Sequence, residues 1–366
     1  MSILYFIIVL FVIVVVHEWG HYKTAKLFGI RVDEFGFGYP PKIKTLFKRG
    51  ETAFTLNLLP FGGFVKIFGE DSVGVENADV GRALFNKPKW QQALVLVAGV
   101  FMNIVLAWFI FLILFLQNSP VISSFVNEKY ITNVRIVVTD IIPDSSASNT
   151  LIQKGDAIIK GSTLSGVTLD TSNPEALSQF IQDSKGEALI LTVQSPNKET
   201  KEVTITPEYS SEKNLYRAGI GFNMAADVEV PWYSAIGYSF KATGTLLGNI
   251  FTGLFELIKS IFVDTQSQVQ VSGPVGIVKT IGDAAQYGIS YILLFTALIS
   301  LNLAALNILP IPALDGGRLL FLLIEKIKGK PINIKTATII HTASFIILIG
   351  LMLVVTFFDV FKLFTK

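Results

Sequence analysis

The chain has 366 residues, of which 51% are hydrophobic and only 16% are charged. Soluble domains carry about 25% charged residues, so this composition indicates an integral membrane protein with little water-facing surface. The absence of cysteine excludes disulfides, thiolate metal ligands and a cysteine nucleophile. A net charge of +2 gives no reason to expect nucleic acid as a partner.

Four hydrophobic segments are long enough to cross a bilayer, which requires about 20 residues. The first begins with residues 3–16, which contain no polar side chain, and continues to about Leu27. A signal peptide is the alternative for this segment, but it would have a basic start and a small-residue cleavage site. We therefore expect a retained helix. The other predicted spans are residues 93–116, 290–309 and 338–358.

The lysine and arginine residues between the spans predict the orientation of the chain. Segments 28–92 and 310–337 are both rich in these residues. Because basic loops stay on the cytoplasmic side, we expect the N-terminus and residues 118–289 to lie outside. The predicted domains are residues 1–117 with two spans, residues 131–208, residues 228–289 and residues 290–366 with the last two spans.

The outside region has two parts with different patterns. Residues 131–208 alternate like strands around one helix, which predicts a small α+β domain. Residues 228–289 are expected to lie along the membrane surface, because charges are few while glycine and aromatic residues recur. A fifth span within residues 231–263 is the alternative.

The first span contains His17-Glu18-Trp19-Gly20-His21, an H-E-x-x-H motif. Two histidines four residues apart share one helix face, so both imidazoles can bind one zinc ion. Glu18 lies where it can take a proton from water at that ion. Ionisable residues inside a span are costly and usually mark a functional site. We prefer this interpretation to the alternative of a capped helix end.

A catalytic zinc ion takes three protein ligands and leaves one position open. The candidates for the third ligand in apolar, membrane-proximal sequence are Asp315, Glu325, His341 and Asp359. We favour Asp315, because Pro310 and Pro312 break the helix beside it. The following Gly316-Gly317 allows close backbone approach. His341 is the alternative ligand, although a hydrogen bond between helices would also explain a histidine there.

The H-E-x-x-H motif and the sequence around Asp315 together resemble the site-2 protease family of intramembrane metalloproteases. H-E-x-x-H is followed by N-x-x-P-x-x-x-L-D-G-G at residues 307–317. Three further stretches resemble the family's bacterial regulator-of-sigma-E branch: PFGGFVKIFGED at 60–71, FNKP at 85–88 and SGPVGI at 272–277. The resemblance covers the whole chain and implies a multi-pass protein of the bacterial inner membrane, with its active site near the cytoplasmic side.

Residue by residue, the resemblance implies zinc as the cofactor and gives each site residue a role. His17, His21 and Asp315 would be the zinc ligands and Glu18 the general base. Asn307 would position the substrate backbone, which an amide can do because it both donates and accepts hydrogen bonds. The alternative for Asn307 is an amide that joins two helices. We assign Asn103 and Asn302 to helix packing.

A helical substrate must unwind before its carbonyls can be attacked. We predict that residues 52–67 form two short strands around Pro60-Phe61-Gly62-Gly63. This hairpin would dip into the membrane from the cytoplasm and hold the unwound substrate by strand addition. On this interpretation, Gly62, Gly63 and Phe64 bind substrate. The alternative is a structural loop in the cytoplasm.

The outside α+β domain resembles a PDZ domain. The matching positions are Pro143, Ala147, Gly155 and Asp156. The sequence departs from the family at residues 151–154, where Leu-Ile-Gln-Lys replaces the usual Ala-Gly-Leu. Such a domain would bind a C-terminal peptide or act as a size filter against substrates with bulky outside domains.

These observations predict a polytopic α-helical membrane protein with four transmembrane helices, a membrane-associated β-hairpin and an inserted α+β, PDZ-like extracytoplasmic domain. The predicted function is a zinc endopeptidase that cleaves the membrane segments of single-pass proteins. Its task would be regulated proteolysis, for example of an anti-sigma factor, or clearance of signal-peptide remnants. The expected partners are these substrates and the lipid bilayer. One alternative is a PDZ-bearing membrane scaffold without protease activity. The other, a metal transporter, would need polar residues repeated along several spans.

Overall fold

The computed structural model describes residues 1–70, 77–119, 125–143, 145–169, 174–195, 197, 199–210, 215–262, 273–330 and 332–364. The chain divides into two compact units. The first combines Met1–Ile113 with Ser239–Lys366, and the second is Leu114–Tyr238.

The described residues form the following α-helices and β-strands. The helices are α1 (Ser2–Leu27), α2 (Lys89–Leu116), α3 (Pro174–Asp183), α4 (Trp232–Phe262), α5 (Pro274–Gln286), α6 (Ile289–Ile308), α7 (Asp315–Lys328) and α8 (Ile334–Phe364). The strands are β1 (Val32–Arg49), β2 (Thr52–Ile67), β3 (Ile131–Ile141), β4 (Ala157–Thr163), β5 (Leu189–Gln194), β6 (Thr200–Ile205), β7 (Glu208–Ser210), β8 (Leu215–Arg217) and β9 (Ile220–Val228).

Four helices in the described part of the chain are long and apolar enough to cross a membrane. They cover Ser2–Leu27, Lys89–Leu116, Ile289–Ile308 and Lys335–Phe361. These helices confirm the four predicted hydrophobic segments. The alternative fifth span coincides with α4, which is not one of these four helices. Residues 263–272 of the predicted surface segment lie outside the described residues.

The prediction that residues 52–67 form a hairpin by themselves is wrong. They form one strand, β2, which pairs with β1. The chain turns between the strands at Gly50, which has a φ of +61°, a left-handed conformation that favours glycine. Lys48 lies opposite Ala53, near this turn. The strand conformation of residues 52–67 is as predicted, but the partner of β2 precedes it in the chain.

The register of β1 places one segment of β2 at an edge. Phe35 lies opposite both Val65 and Phe54, so residues 34–37 of β1 are flanked on two sides. Among the described residues, segment 63–66 pairs only with this part of β1. Segment 63–66 therefore leaves one backbone edge unpaired within the described sheet, and we call it the edge segment. An unpaired edge is a template for adding another strand.

Aromatic packing holds this sheet against the second half of α1. The Tyr22 ring lies 5.8 Å from that of Phe35 and 5.7 Å from that of Phe54. Phe35 and Phe54 stack at 5.3 Å. All three side chains are buried in one cluster, and such aromatic pairs contribute about 0.5–1.5 kcal/mol each beyond their burial. The H-E-x-x-H turn of α1 is therefore fixed relative to the sheet.

The predicted helix break before Asp315 is confirmed. Helix α6 ends at Ile308 and α7 begins at Asp315, with Pro310 and Pro312 in between. The glycines that follow are needed for packing. A Cβ at Gly316 would lie 2.2 Å from the Leu309 carbonyl oxygen, and one at Gly317 would lie 2.3 Å from that of Ile311. Real Cβ atoms do not approach oxygen this closely, so the connection folds back onto α7 only with glycine there.

The second unit is built on a five-stranded antiparallel sheet with the order β6-β5-β4-β3-β9. Its core contains apolar residues from the strands and from α3: Ile136, Ile158, Leu177, Phe180, Leu191 and Val203. The α+β class is as predicted. The unit is longer than the predicted 131–208, because β9 follows that boundary and pairs along the length of β3.

Asp156, one of the residues that matched the PDZ pattern, has a structural role in this unit. Its carboxylate is fully buried. It accepts hydrogen bonds from the Ser195 hydroxyl at 2.8 Å and the Gln153 backbone N–H at 2.9 Å, and it pairs with Lys201 Nζ at 2.9 Å. A buried charge needs such partners. Asp156 therefore fixes the turn that contains Gln153 to β6 and to Ser195, the residue that follows β5.

Candidate metal centre

His17, His21 and Asp315 bring three ligand atoms to one point. The two histidine Nε2 atoms lie 3.2 Å apart. Asp315 Oδ2 lies 3.1 Å from His17 Nε2 and 3.4 Å from His21 Nε2. In a tetrahedral zinc site with bonds of about 2.0–2.1 Å, neighbouring ligand atoms are about 3.3–3.4 Å apart. The triangle therefore has the size that a zinc ion requires.

The three ligands come from two elements that the sequence places far apart. Helix α1 carries both histidines on one face, one turn apart. Asp315 opens α7 directly after the helix break. Both histidines are buried. Asp315 Oδ2 is also buried and accepts no well-formed hydrogen bond among the described residues. An oxygen without a donor, facing two imidazole nitrogens, fits a metal ion between them.

The other candidates for the third ligand lie elsewhere. Among the described residues, the group of metal-binding side chains that is close enough to share an ion contains His17, His21 and Asp315. Asp359 instead accepts a hydrogen bond from the Gly276 backbone N–H at 2.8 Å. Glu325 forms an ion pair with Lys89. His341 lies on α8 and is outside the group.

Helix α2 orients the imidazoles, which the sequence did not predict. His21 Nδ1 lies 2.8 Å from the Val95 carbonyl oxygen and donates to it. The Nε2 lone pair of His21 is then free for a metal, and this second partner is typical of ligating histidines. Asn103 is fully buried, and its side-chain nitrogen lies 3.3 Å from His17 Nδ1. The predicted role of Asn103 in helix packing agrees with this contact between α2 and α1, and the contact is made to a proposed ligand.

Gly99 provides the space for both imidazoles. A Cβ at this position would lie 2.3 Å from His21 Nε2 and 2.7 Å from His17 Cε1. Any side chain would therefore occupy the volume of the rings. Gly99 was not predicted as a site residue. An isolated glycine inside an apolar helix is the signal that points to such a close approach.

The edge segment lies beside Glu18. The Val65 backbone N–H lies near the Glu18 carboxylate. A Cβ at Gly63 would lie 3.8 Å from Glu18 Cγ. Gly63 is therefore the predicted substrate-binding residue whose position beside Glu18 is seen directly. The other two, Gly62 and Phe64, have different neighbours. Gly62 has a φ of +97° and faces the Tyr39 ring, and the Phe64 ring packs over Gly36.

Asn307 lies with the proposed ligands, whereas Asn302 does not. The Asn307 side chain is buried, and its nitrogen lies 3.4 Å from His17 Nε2. Asn302 is exposed and donates to the Leu298 carbonyl of its own helix at 2.9 Å. The Asn307 amide therefore borders the same space as the three ligand atoms.

An ion pair joins the two parts of the site. Arg318, one turn after Asp315 on α7, pairs with Glu70, which follows β2. The element that carries Asp315 is thereby tied to the end of the strand that contains the edge segment.

Comparison with known proteins identifies the family. The model of peptidase family M50 matches residues 5–351. A Clostridium perfringens protein provisionally named a zinc metalloprotease is 34% identical over 98% of this chain and 98% of its own length. The regulator of sigma-W protease RasP of Bacillus subtilis is 30% identical over 99% of both chains. The zinc metalloprotease RasP of Geobacillus kaustophilus is 29% identical over 99% of this chain and 98% of its own. The chain therefore belongs to peptidase family M50, the site-2 protease family, and is a zinc metalloprotease.

Proposed function

We propose that this metalloprotease is an intramembrane endopeptidase that cleaves the membrane segments of single-pass proteins. The observation that carries this proposal is the triangle of His17, His21 and Asp315. Two of its members lie within a helix that is apolar enough to span a membrane. Polar side chains in such a helix are costly unless they serve a function. A peptide bond cut at this site would itself lie within the bilayer.

The side chains around the triangle have the chemistry for peptide hydrolysis. Zinc, when bound there, supplies Lewis acidity that polarises a peptide carbonyl and acidifies water. Glu18 accepts the proton of the attacking water and delivers it to the nitrogen of the departing amine. The Asn307 amide can hold the backbone of the substrate, because it offers both a donor and an acceptor.

The edge segment is the proposed binding site for the unwound substrate. Its residues 63–66 leave one backbone edge unpaired within the described sheet. Val65 and Gly63 lie beside Glu18. A substrate strand that pairs with this edge would run past the general base in an extended conformation, with its carbonyls no longer held by a helix.

The setting of the enzyme is part of the proposal. The basic loops 28–92 and 310–337 would face the cytoplasm of a bacterium, which places the site near that side of the inner membrane. The second unit would then be an extracytoplasmic, PDZ-like domain that binds a C-terminal peptide or filters substrates by size. The name of the Bacillus subtilis relative favours regulated proteolysis of a protein that controls a sigma factor.

Replacing Asp315 by Asn tests the proposed ligand set. We expect the purified Asp315→Asn variant to bind zinc at least about 10-fold more weakly than wild type, because a neutral amide is a poor zinc ligand. Cleavage of a tagged single-pass substrate in detergent should be lost in parallel. Zinc content by elemental analysis and cleavage by gel shift are the two measurements.

Asp283→Asn is the matched control, because this exposed residue on α5 is outside the metal-ligand group. It should keep both zinc and activity. Full zinc content in the Asp315→Asn variant would refute the ligand set. A wild-type protein that holds zinc but cleaves no membrane segment, while it cleaves soluble peptides, would refute the intramembrane substrate class.

Crosslinking tests the edge segment directly, because the native chain contains no cysteine. We expect Lys66→Cys, at an exposed position of the edge segment, to crosslink with a substrate that carries one cysteine near its cleavage site. The catalytic variant Glu18→Gln would keep the substrate intact during the reaction.

Lys48→Cys is the control for this experiment. Lys48 is also exposed but lies on the second half of β1, away from the edge segment. Equal crosslinking at both positions would show that the contact is non-specific and would rule out strand addition at residues 63–66.

A further inference from the structure

We propose that the side-chain oxygen of Asn103 accepts a hydrogen bond from His17 Nδ1–H and thereby sets the tautomer of His17 for zinc binding. The proposal rests on the zinc ligand set given above. It makes Asn103 a positioning residue, which acts on the metal through His17.

The first observation is an unsatisfied oxygen. Asn103 is fully buried, and its Oδ1 has no hydrogen-bond partner among the described residues. Its Nδ2 lies 3.3 Å from His17 Nδ1. The two ends of an amide have the same shape, so the surrounding hydrogen bonds decide which end faces the ring. A buried carbonyl oxygen without a donor costs about 1–3 kcal/mol, and turning the amide gives this oxygen the His17 Nδ1–H as its donor. Because turning also moves the amide nitrogen away from His17, the lone pair that His17 needs on Nε2 decides between the two orientations.

The second observation is the direction of His17 Nε2. This atom faces His21 Nε2 at 3.2 Å and Asp315 Oδ2 at 3.1 Å. If the Asn103 nitrogen donated to Nδ1, the proton of a neutral His17 would lie on Nε2, and that nitrogen would have no lone pair for zinc. With Oδ1 toward the ring, Nδ1 carries the proton and Nε2 is free. Rotation of the Asn103 amide thus gives its oxygen a donor and leaves His17 Nε2 free to bind the ion.

Helix α2 would then provide a hydrogen-bond acceptor for the Nδ1–H of each histidine. The Val95 carbonyl accepts from His21 Nδ1, as the Asn103 oxygen would from His17 Nδ1. Val95, Gly99 and Asn103 are spaced four residues apart, which places them on one face of α2. Gly99 leaves room for the rings between the two acceptors. The Ser300 hydroxyl donates to the Asn103 backbone carbonyl at 2.8 Å and fixes this face against α6.

The test uses two substitutions with opposite expectations. Asn103→Leu removes the acceptor at similar size, and we expect zinc affinity to fall 10–100-fold, the range typical for lost second partners of ligating histidines. Asn103→Asp can only accept, so it should keep zinc affinity within about threefold of wild type. Competition between the purified full chain and a chelator, with zinc alone as the probe, gives both values. Asn302→Leu makes the same change at an exposed amide and should have no effect.

Each outcome decides between defined alternatives. A wild-type chain that does not bind zinc would overturn the ligand set and with it the proposed function. If wild type binds zinc and Asn103→Leu binds it equally well, the role of Asn103 is overturned while the proposed function stands. If Asn103→Asp loses zinc as Asn103→Leu does, the amide presents its nitrogen and the assigned tautomer is wrong. Should Asn103→Leu fail to fold, Asn103→Asp still separates the two amide orientations.

Discussion

Replacement of Glu18 by Gln is expected to lower the rate of cleavage by about 10²–10⁴-fold, the usual contribution of a general acid–base group. Glutamine has nearly the same shape but cannot take up a proton at neutral pH. Because Glu18 is outside the triangle of ligand atoms, zinc content should stay at the wild-type level. The two measurements are the cleavage rate of a tagged single-pass substrate and the zinc content of the same preparation.

Glu256→Gln is the matched control for this experiment. Glu256 is an exposed residue of α4, and the same chemical change there should leave cleavage intact. Cleavage by Glu18→Gln within about 10-fold of wild type would contradict the role of Glu18 as general base. Loss of zinc from this variant would instead assign Glu18 to the metal, and the proton acceptor would have to be another residue.

The membrane helices and the H-E-x-x-H motif could be predicted because their signals are local. Apolar runs of bilayer length and two histidines one turn apart need no knowledge of the fold. The break before Asp315 was also predictable, since Pro310 and Pro312 cannot continue a helix.

The pairing of the strands depends on distant residues and was not predicted. The pattern of residues 52–67 indicates a strand, but the same pattern fits a hairpin of its own or a partner elsewhere. The structure pairs it with residues 32–49 through the turn at Gly50. Strand β9 was missed for the same reason, because only its pairing with β3 joins it to the second unit.

The partners of the two histidines could be predicted only in part. A backbone carbonyl such as that of Val95 has no side-chain signature, so no motif can report it. Gly99 and Asn103 do have one, but a glycine or an asparagine in an apolar helix is equally consistent with close helix packing. A role beside the histidines and a role in helix packing differ in the distance from α2 to the two imidazole rings. That distance follows from how α1 packs against α2. Gly20 allows that packing, since a Cβ there would lie 2.3 Å from the Ala98 carbonyl oxygen.

Replacement of Gly99 by Ala is therefore expected to weaken zinc binding strongly and to reduce cleavage in parallel. The added methyl would lie 2.3 Å from His21 Nε2 and 2.7 Å from His17 Cε1. Relief requires either ring to rotate or α2 to move away, and either movement spoils the triangle of ligand atoms. We expect zinc affinity to fall by at least about 10–100-fold, as for other changes that misplace ligating histidines. Zinc content and cleavage rate on the same preparation measure the effect.

Helix propensity alone predicts that Gly99→Ala stabilises α2, whereas zinc binding is expected to weaken. This difference makes the test specific. Alanine is favoured over glycine in a helix by about 1 kcal/mol, so a loss of zinc cannot be attributed to a weaker α2. Gly350→Ala is the matched control, because a Cβ at Gly350 on α8 would meet no atom of the described residues within 4 Å beyond the backbone of its own helix. It should keep zinc and activity. Wild-type zinc affinity in Gly99→Ala would show that the imidazoles do not occupy the space beside α2, and the role of this helix in orienting them would be wrong.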